Sequence, residues 1–303
     1  MKGFIGLTKR NLLIYFKDIQ AVIFSLLTSI IVLVLYLLFL KGTFVDAIES
    51  SVAGLENFIL SDDIDTLANL ILLVGIIGSA LITVPYNCLS TVISDREKKI
   101  DYDICATPVK RWQIALSYFT AATLSAFIMA SIILSVGLLV LSSTGSLYMG
   151  AIRVLVTYGL IFLGSVSATA FFMMVVLFFK TTSASGAFFG ILSAASGFVI
   201  GAFIPLSEFS NSVQTACNLF PASHVTILFR NALLNGILDK MNDDLGGIDN
   251  GFFRSGIKES FTFNANIFEH SLSCNQMVAY IIAATILSVI GLIFIFAKTY
   301  KKK

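Results

Sequence analysis

Charged residues are scarce in this chain, which excludes an ordinary soluble domain. They make up 13% of its 303 residues, against 57% hydrophobic ones, whereas a soluble domain carries roughly 25% charged residues. Residues 112–152, 154–179 and 181–207 contain no charge at all. Secondary transporters and channels usually place Asp, Glu, His or Lys near the bilayer midplane. That class therefore stays open only as an alternative, in which backbone oxygens would coordinate Na⁺.

Sequence motifs for catalysis are also missing. The chain has no G-x-x-x-x-G-K-[ST] loop for a nucleotide, no H-E-x-x-H, no G-x-S-x-G and no Cys/His cluster with ligand spacing. The Asp- and Asn-rich residues 239–266 lack the order and closing Glu of an EF-hand. The chain is therefore predicted to be no enzyme and to hold neither a metal nor a cofactor of its own.

Six apolar stretches are each long enough to cross a bilayer, which takes about 20 helical residues. A backbone in lipid must satisfy its own hydrogen bonds, so helices are predicted. No small-residue cleavage site follows the first stretch, which is expected to stay as an anchor. The predicted spans are Ala21–Leu40, Leu67–Ile93, Ile114–Leu141, Val154–Phe179, Ser185–Ile204 and Met277–Ala297.

Lys and Arg define the orientation of these spans, because loops rich in them stay in the cytoplasm. Of the 20 basic residues, 14 lie before span 1, between spans 2 and 3, at Lys180 or in the C-terminal tail. We therefore expect a multi-pass protein of the cell membrane with both termini cytoplasmic and with residues 42–66 and 205–276 outside. Cys217 and Cys274 would then share the outer side, where they either pair or remain free thiols.

The N-terminal residues 3–19 are predicted to form an amphipathic helix in the membrane interface. Phe4, Ile5, Leu12, Tyr15, Phe16 and Ile19 share one arc at helical spacing, and Lys9, Arg10 and Lys17 share another. A basic flank that merely obeys the positive-inside rule is the alternative.

Residues 93–112 form the densest charge cluster of the chain. Basic and acidic residues are mixed there, which suits a protein docking surface better than a purely basic lipid-headgroup patch; a solvated loop is the alternative. Residues 95–103 are expected to continue span 2 as a short charged helix that then turns. Thr107 and Pro108 are typical of a helix N-cap followed by proline at the first helical position, so span 3 is predicted to begin near there.

Two segments resemble the type-2 ABC exporter permease family. DREKKIDYDICATPVKRWQI, which begins at Asp95, has an acid-Arg-Glu start, a Thr-Pro-Val and a basic residue before span 3. Residues 201–236 have a Gly, a Pro-Leu, a Leu-x-Pro-like turn and a closing Arg. The outer matches are Gly201, Pro205, Leu206, Leu219, Pro221 and Arg230.

This resemblance implies a permease that works as a pair, identical or homologous, docked on two cytoplasmic ATPase subunits. Those subunits would bind ATP and Mg; lipid is the other expected partner, and nucleic acid is not expected. The resemblance also implies a cytoplasmic coupling helix between spans 2 and 3. Its ATPase-coupling residues would be Asp95, Arg96, Glu97, Lys98, Asp101, Thr107 and Pro108.

A single all-α permease domain over residues 1–303 is thus predicted. Two short outer helices, Ser207–Asn218 and Ser223–Asn235, are expected between spans 5 and 6. Residues 237–275 look like an addition that many relatives lack. The predicted parts are an interfacial helix at 1–20, spans 1–5 within 21–204, an extracellular segment at 205–276, span 6 at 277–297 and a cytoplasmic tail at 298–303.

The expected cargo is hydrophobic or amphiphilic, such as a drug, an antimicrobial peptide or a lipid, moved outward by ATP. The chain has 27 Phe and one Trp. Sugar-binding channels usually rely on Trp and Tyr, which join a flat face to a polar edge, so a long polysaccharide fits less well. Ordinary lipid-facing Phe is the alternative explanation of this composition.

Overall fold

Helices account for 83% of the structure, a computed structural model that describes residues 2–51, 59–144, 147–246, 248–268 and 270–299. Residues 52–58 of the predicted loop 42–66 and residues 300–303 of the predicted tail lie outside these ranges. The elements are α1 (Lys2–Lys17), α2 (Ile19–Leu35), a π-helical turn (Tyr36–Leu40), α3 (Lys41–Ser51), α4 (Ser61–Glu97), α5 (Ile100–Ala106), α6 (Arg111–Thr144), α7 (Ala151–Val176), α8 (Thr182–Val199), a 3₁₀ turn (Leu206–Glu208), α9 (Asn211–Asn218), α10 (Pro221–Asp244), α11 (Phe252–Ser260), β1 (Ala265–Ile267), β2 (His270–Leu272) and α12 (Cys274–Thr299).

Six helices within the described residues are long and apolar enough to cross a membrane, which confirms the predicted all-α membrane class. They are Ile19–Ser50, Ser61–Glu97, Arg111–Ser143, Ala151–Val176, Thr182–Val199 and Cys274–Leu292. The first continues through α3 past its predicted end at Leu40, and the second begins before Leu67. Hydropathy identifies the apolar centre of a helix, whereas its polar ends extend into water.

The central helix is α4, which is buried along most of its length among α2, α6, α7, α8 and α10. Its 37 residues span about 55 Å, more than the roughly 30 Å of hydrocarbon in a bilayer. Close packing depends on small residues: a Cβ at Gly78 would lie 2.5 Å from the hydroxyl of Thr226 on α10. A larger side chain at Gly78 would therefore push α10 away.

Short polar side chains join α4 to α2. The hydroxyls of Ser29 and Ser79 are 2.9 Å apart, and Asn87 donates to the carbonyl of Ala21 at 2.6 Å. Thr83 donates to the carbonyl of Ser25. Because these bonds satisfy polar groups inside an apolar bundle, they fix the register of α2 against α4.

One end of the bundle carries α1 together with residues 98–110 and 177–181, and we call it the basic end. Here α1 packs against α6, and its buried residues are Thr8, Asn11 and Tyr15. The inner face of α1 is thus partly polar, while Ile5, Leu13 and Ile14 are exposed. The helix itself agrees with the sequence pattern, and its place in the membrane interface stays a prediction.

The helix of span 3 begins near Thr107 and Pro108, as predicted, but the predicted roles of Thr107 as its N-cap and Pro108 as its first residue are wrong. Thr107 instead ends α5 in an extended conformation, and its hydroxyl donates to the carbonyl of Ile104 at 2.6 Å. A residue before proline disfavours helical dihedrals, which explains the break. The next helix, α6, begins at Arg111, where the side chain of Gln113 accepts from the backbone N–H of Lys110 at 3.2 Å, as in a capping box.

The segment after α8 also departs from the sequence prediction. The first expected outer helix is shorter, since α9 covers only Asn211–Asn218. The second, α10, is longer than expected and packs inside the bundle against α4, α7 and α12. Residues 248–268 and 270–273 add α11 and a two-stranded antiparallel hairpin. We call the end that carries residues 147–150 and this addition the opposite end.

Candidate functional site

The candidate coupling segment at the basic end is the short helix α5 and the turns that flank it. Lys99 has a φ of +61°, which reverses the chain between α4 and α5. In α5 only Ile104 is buried, so this side chain anchors the helix to the bundle. Tyr102 is 70% exposed and Trp112 at the start of α6 is 59% exposed. The segment therefore presents two large aromatic rings and mixed charges outward.

Asp95, the first of the predicted coupling residues, points into the protein. Asp95 is only 3% exposed, and both of its carboxylate oxygens accept hydrogen bonds from Arg10 of α1 at 2.8 Å. Tyr118 of α6 also donates to this carboxylate. The hydrogen bonds with Asp95 raise the pKa of Arg10 above its ordinary value, so the guanidinium stays charged. Asp95 thus joins α4 to α1 and to α6.

Arg96 and Glu97 point toward the turn between α7 and α8. Nη1 of Arg96 donates to the carbonyl of Leu177, the residue that caps α7, at 3.3 Å. Oε2 of Glu97 accepts from the backbone N–H of Thr182 at 2.9 Å and from its hydroxyl at 2.6 Å. Thr182 is the first residue of α8. These two side chains therefore bind the two ends of residues 177–182.

The remaining predicted coupling residues lie at the surface of the basic end. Lys98, Thr107 and Pro108 are exposed. Asp101 is half-buried and, with Arg111 and Tyr118, lines a small cavity of about 20 Å³. The structure thus divides the predicted group into Asp95, Arg96 and Glu97, which contact other helices, and an outward set that surrounds α5.

The second predicted group converges at the end of α8. Gly201 has a φ of +67°, and a Cβ there would lie 3.0 Å from Leu206 and 3.1 Å from Arg230. Arg230 is 3% exposed. Its guanidinium donates to four carbonyls, those of Ile200, Gly201, Phe261 and Thr262, at 2.7–3.1 Å. A buried charge requires such partners, so Arg230 ties the end of α8 to the end of α11.

The prolines of this group occur at turns. Pro205 precedes the 3₁₀ turn, whose first residue Leu206 is buried. Pro221 is the first residue of α10, a position that suits proline because the N–H it lacks would have no partner in the helix. These residues shape the chain between α8 and α10.

Sequence reasoning missed several residues that the structure brings to these sites. Arg10, Tyr118 and Thr182 are far in the chain from their acidic partners, so no spacing pattern could have found them. His224, which no sequence pattern singled out, is buried in α10, and its Nε2 lies 2.6 Å from the carbonyl of Asn218. Its ring packs on Tyr280 of α12 with centroids 4.3 Å apart.

A cavity of about 460 Å³ opens between α2 and α8. Its wall is almost entirely apolar, and the hydroxyls of Thr28 and Ser193 bond to each other in it. Its volume lies in the range of about 300–1,000 Å³ that is common for small-molecule pockets, but the cavity is open on one side, where Phe39 is 68% and Phe198 45% exposed. Its other lining residues include Leu35, Phe39, Phe198 and Phe203.

Among the described residues, no three His, Cys, Asp or Glu side chains are placed to hold a metal ion. Cys88, Cys105, Cys217 and Cys274 are free thiols. At the opposite end, Lys240 bridges Asp63 and Asp244, and Asp239 bridges Arg153 at 3.1 Å and Arg254 at 2.6 Å. These ion pairs fasten α10 to α4, α7 and α11.

The comparisons with known proteins agree with this architecture. Residues 47–298 match the family described as ABC-2 family transporter protein. This match covers more than half of the chain. No curated protein matches it. The chain therefore belongs to the ABC-2 transporter family and is the membrane permease of an ABC transporter.

Proposed function

We propose that this member of the ABC-2 transporter family exports a hydrophobic or amphiphilic substrate with energy from a separate cytoplasmic ATPase. In this proposal the basic end faces the cytoplasm, so that both termini are cytoplasmic. Two ATPase subunits bind ATP and Mg and dock on a pair of permeases, identical or homologous. The chain itself carries out no chemistry.

The observation that carries the proposal is the exposed surface around α5. It combines Tyr102 and Trp112 with Lys98 and Asp103, all exposed. Aromatic residues are enriched in protein interfaces, and mixed charges give a docking partner orientation. Because α5 follows directly on the central helix α4, a partner that binds there acts on the helix that contacts most of the bundle.

The α2–α8 cavity supports the choice of cargo. Its walls offer aliphatic and phenylalanine side chains and only two hydroxyls, Thr28 and Ser193. An apolar wall favours ligands that bury apolar surface, at roughly 25 cal/mol per Å². A polysaccharide would leave its hydroxyls without partners along such a wall. A drug, an amphiphilic peptide or a lipid is therefore the proposed substrate class.

The test uses the tagged chain, purified from its native membrane with any ATP-binding-cassette ATPase that it retains. We expect such a subunit to co-purify and its ATP hydrolysis in nanodiscs to be stimulated by amphiphilic drugs or peptides. Absence of an ATPase would contradict the ATP-driven function. Stimulation by a polysaccharide-linked lipid alone would contradict the substrate class.

A further inference from the structure

Three consecutive residues, Asp95, Arg96 and Glu97, end the central helix α4, and each contacts a different part of the bundle. Asp95 binds Arg10 of α1 and Tyr118 of α6. Arg96 binds the end of α7, and Glu97 binds the start of α8. Three residues after Glu97 the chain enters α5. The last turn of α4 therefore links the proposed docking helix to four other helices.

The contacts of Arg96 and Glu97 match the electrostatics of the helix ends that they meet. The last carbonyls of a helix and its first N–H groups lack partners within the helix. They carry partial negative and positive charge respectively. The guanidinium meets the carboxyl end of α7, and the carboxylate meets the amino end of α8. Each charge is thus placed where it stabilises a helix end, on either side of the turn at residues 177–181.

The contact to α8 leads to the α2–α8 cavity. Ser193 and Phe198 of α8 line that cavity, and α8 is a single helix from Thr182 to Val199. A displacement of its first residue is therefore transmitted along the helix to the cavity wall. Further along the same interface, the hydroxyl of Tyr86 on α4 bonds to Ser185 at 2.9 Å, which keeps the two helices in register.

We propose that Asp95, Arg96 and Glu97 form a clasp within the permease that transmits movement of α5 to the spans, with the exposed pair Glu97 and Thr182 as the link to the cavity. This inference rests on the proposed function and assigns these side chains a positioning role within the permease. Contact with the ATPase belongs to the outward set around α5. The clasp and the docking surface are therefore separable by mutation.

The decisive variant is Thr182→Val, which removes one hydroxyl donor to Glu97 and keeps the shape of the side chain. We expect ATPase binding to be unchanged and the amount of substrate transported per ATP hydrolysed to fall by less than tenfold, because Glu97 and Thr182 are exposed and water can partly replace the lost donor. Thr182→Ser retains the donor and should restore coupling, which a purely steric role of Thr182 would not predict. Lys98→Glu, on the docking surface, should show the reverse pattern. ATPase binding should weaken, and the substrate transported per ATP hydrolysed by the bound ATPase should be unchanged.

Hydrogen exchange on the permease alone tests the clasp independently of any ATPase. Glu97→Ala should speed exchange of the Thr182 amide at the start of α8, because that amide loses its acceptor, and should leave α12 unaffected. Equal protection in Glu97→Ala and wild type would overturn the clasp. So would loss of ATPase binding in Thr182→Val, or full coupling in that variant. If the wild-type pair shows no ATP-driven transport, the proposed function fails, and the exchange result still decides on the clasp.

Discussion

Removal of the Asp95 charge should destabilise the basic end measurably. Breaking a buried ion pair by removing one partner costs about 3–5 kcal/mol. Asp95 is buried, but the side chain of Arg10 is 31% exposed, so water partly solvates the guanidinium that is left behind. We therefore expect Asp95→Asn to lower the free energy of unfolding by about 2 kcal/mol. Arg10→Met should cost a similar amount, because the carboxylate would lose its bidentate partner.

A double-mutant cycle isolates this pair. Unfolding in mixed micelles can be followed through Trp112, the one Trp of the chain, which lies at the start of α6, the helix whose Tyr118 bonds to Asp95. The combined Asp95→Asn and Arg10→Met variant should lose at least about 1 kcal/mol less than the two single losses together. Lys9→Met, at an exposed neighbour in α1, is the control and should stay within about 0.5 kcal/mol. Additive losses would refute the reasoning that Arg10 and Asp95 act as one unit.

Further predictions concern orientation and the end of α8. A membrane-impermeant maleimide applied to intact cells should label exposed Cys274 and leave exposed Cys105 unlabelled, whereas in inverted vesicles it should reach Cys105. Labelling of Cys105 from outside intact cells would show that the topology is the reverse of the predicted one. Arg230→Lys should lower the free energy of unfolding by about 3 kcal/mol, because one ammonium cannot reach all four carbonyls that the planar guanidinium binds; an unchanged unfolding midpoint would contradict this. Gly201→Ala should lower the free energy of unfolding by about 1–2 kcal/mol because of the positive φ of Gly201. The control Gly186→Ala, in open space within α8, should be neutral or stabilising. Equal effects of the two variants in thermal unfolding would argue against backbone strain at Gly201.

The spans were predictable because a bilayer imposes one requirement, a long apolar helix, that hydropathy measures directly. Hydropathy did not show that α10 is buried in the bundle, because polar and apolar residues are mixed along this helix. Its polar groups are satisfied by distant parts of the chain, as with the side-chain amide of Asn231, which donates to the carbonyl of Phe263 at 2.7 Å, and local composition does not reveal such partners. The dipeptide Thr107-Pro108 was misleading for another reason: it suits both a helix start and an extended stop, and the tertiary fold selects between them.

The clasp at the end of α4 could not be predicted from the sequence. The charged cluster at residues 93–112 predicted a functional segment, but nothing in its order distinguished inward from outward side chains. The partners Arg10 and Thr182 are each 85 residues from the carboxylates that they bind. Such pairs form only once α1 and α8 have packed on α4, so their positions follow from the tertiary fold.

The most direct test of ATP-driven export is transport into inverted vesicles that contain the chain with or without the ATPase subunit that co-purifies with it. The proposed function predicts uptake of an amphiphilic fluorescent substrate only when both proteins and ATP are present. It also predicts loss of uptake when the nucleotide-binding lysine of the ATPase is replaced. Uptake by the chain alone, driven by a Na⁺ or proton gradient and unaffected by ATP, would contradict it.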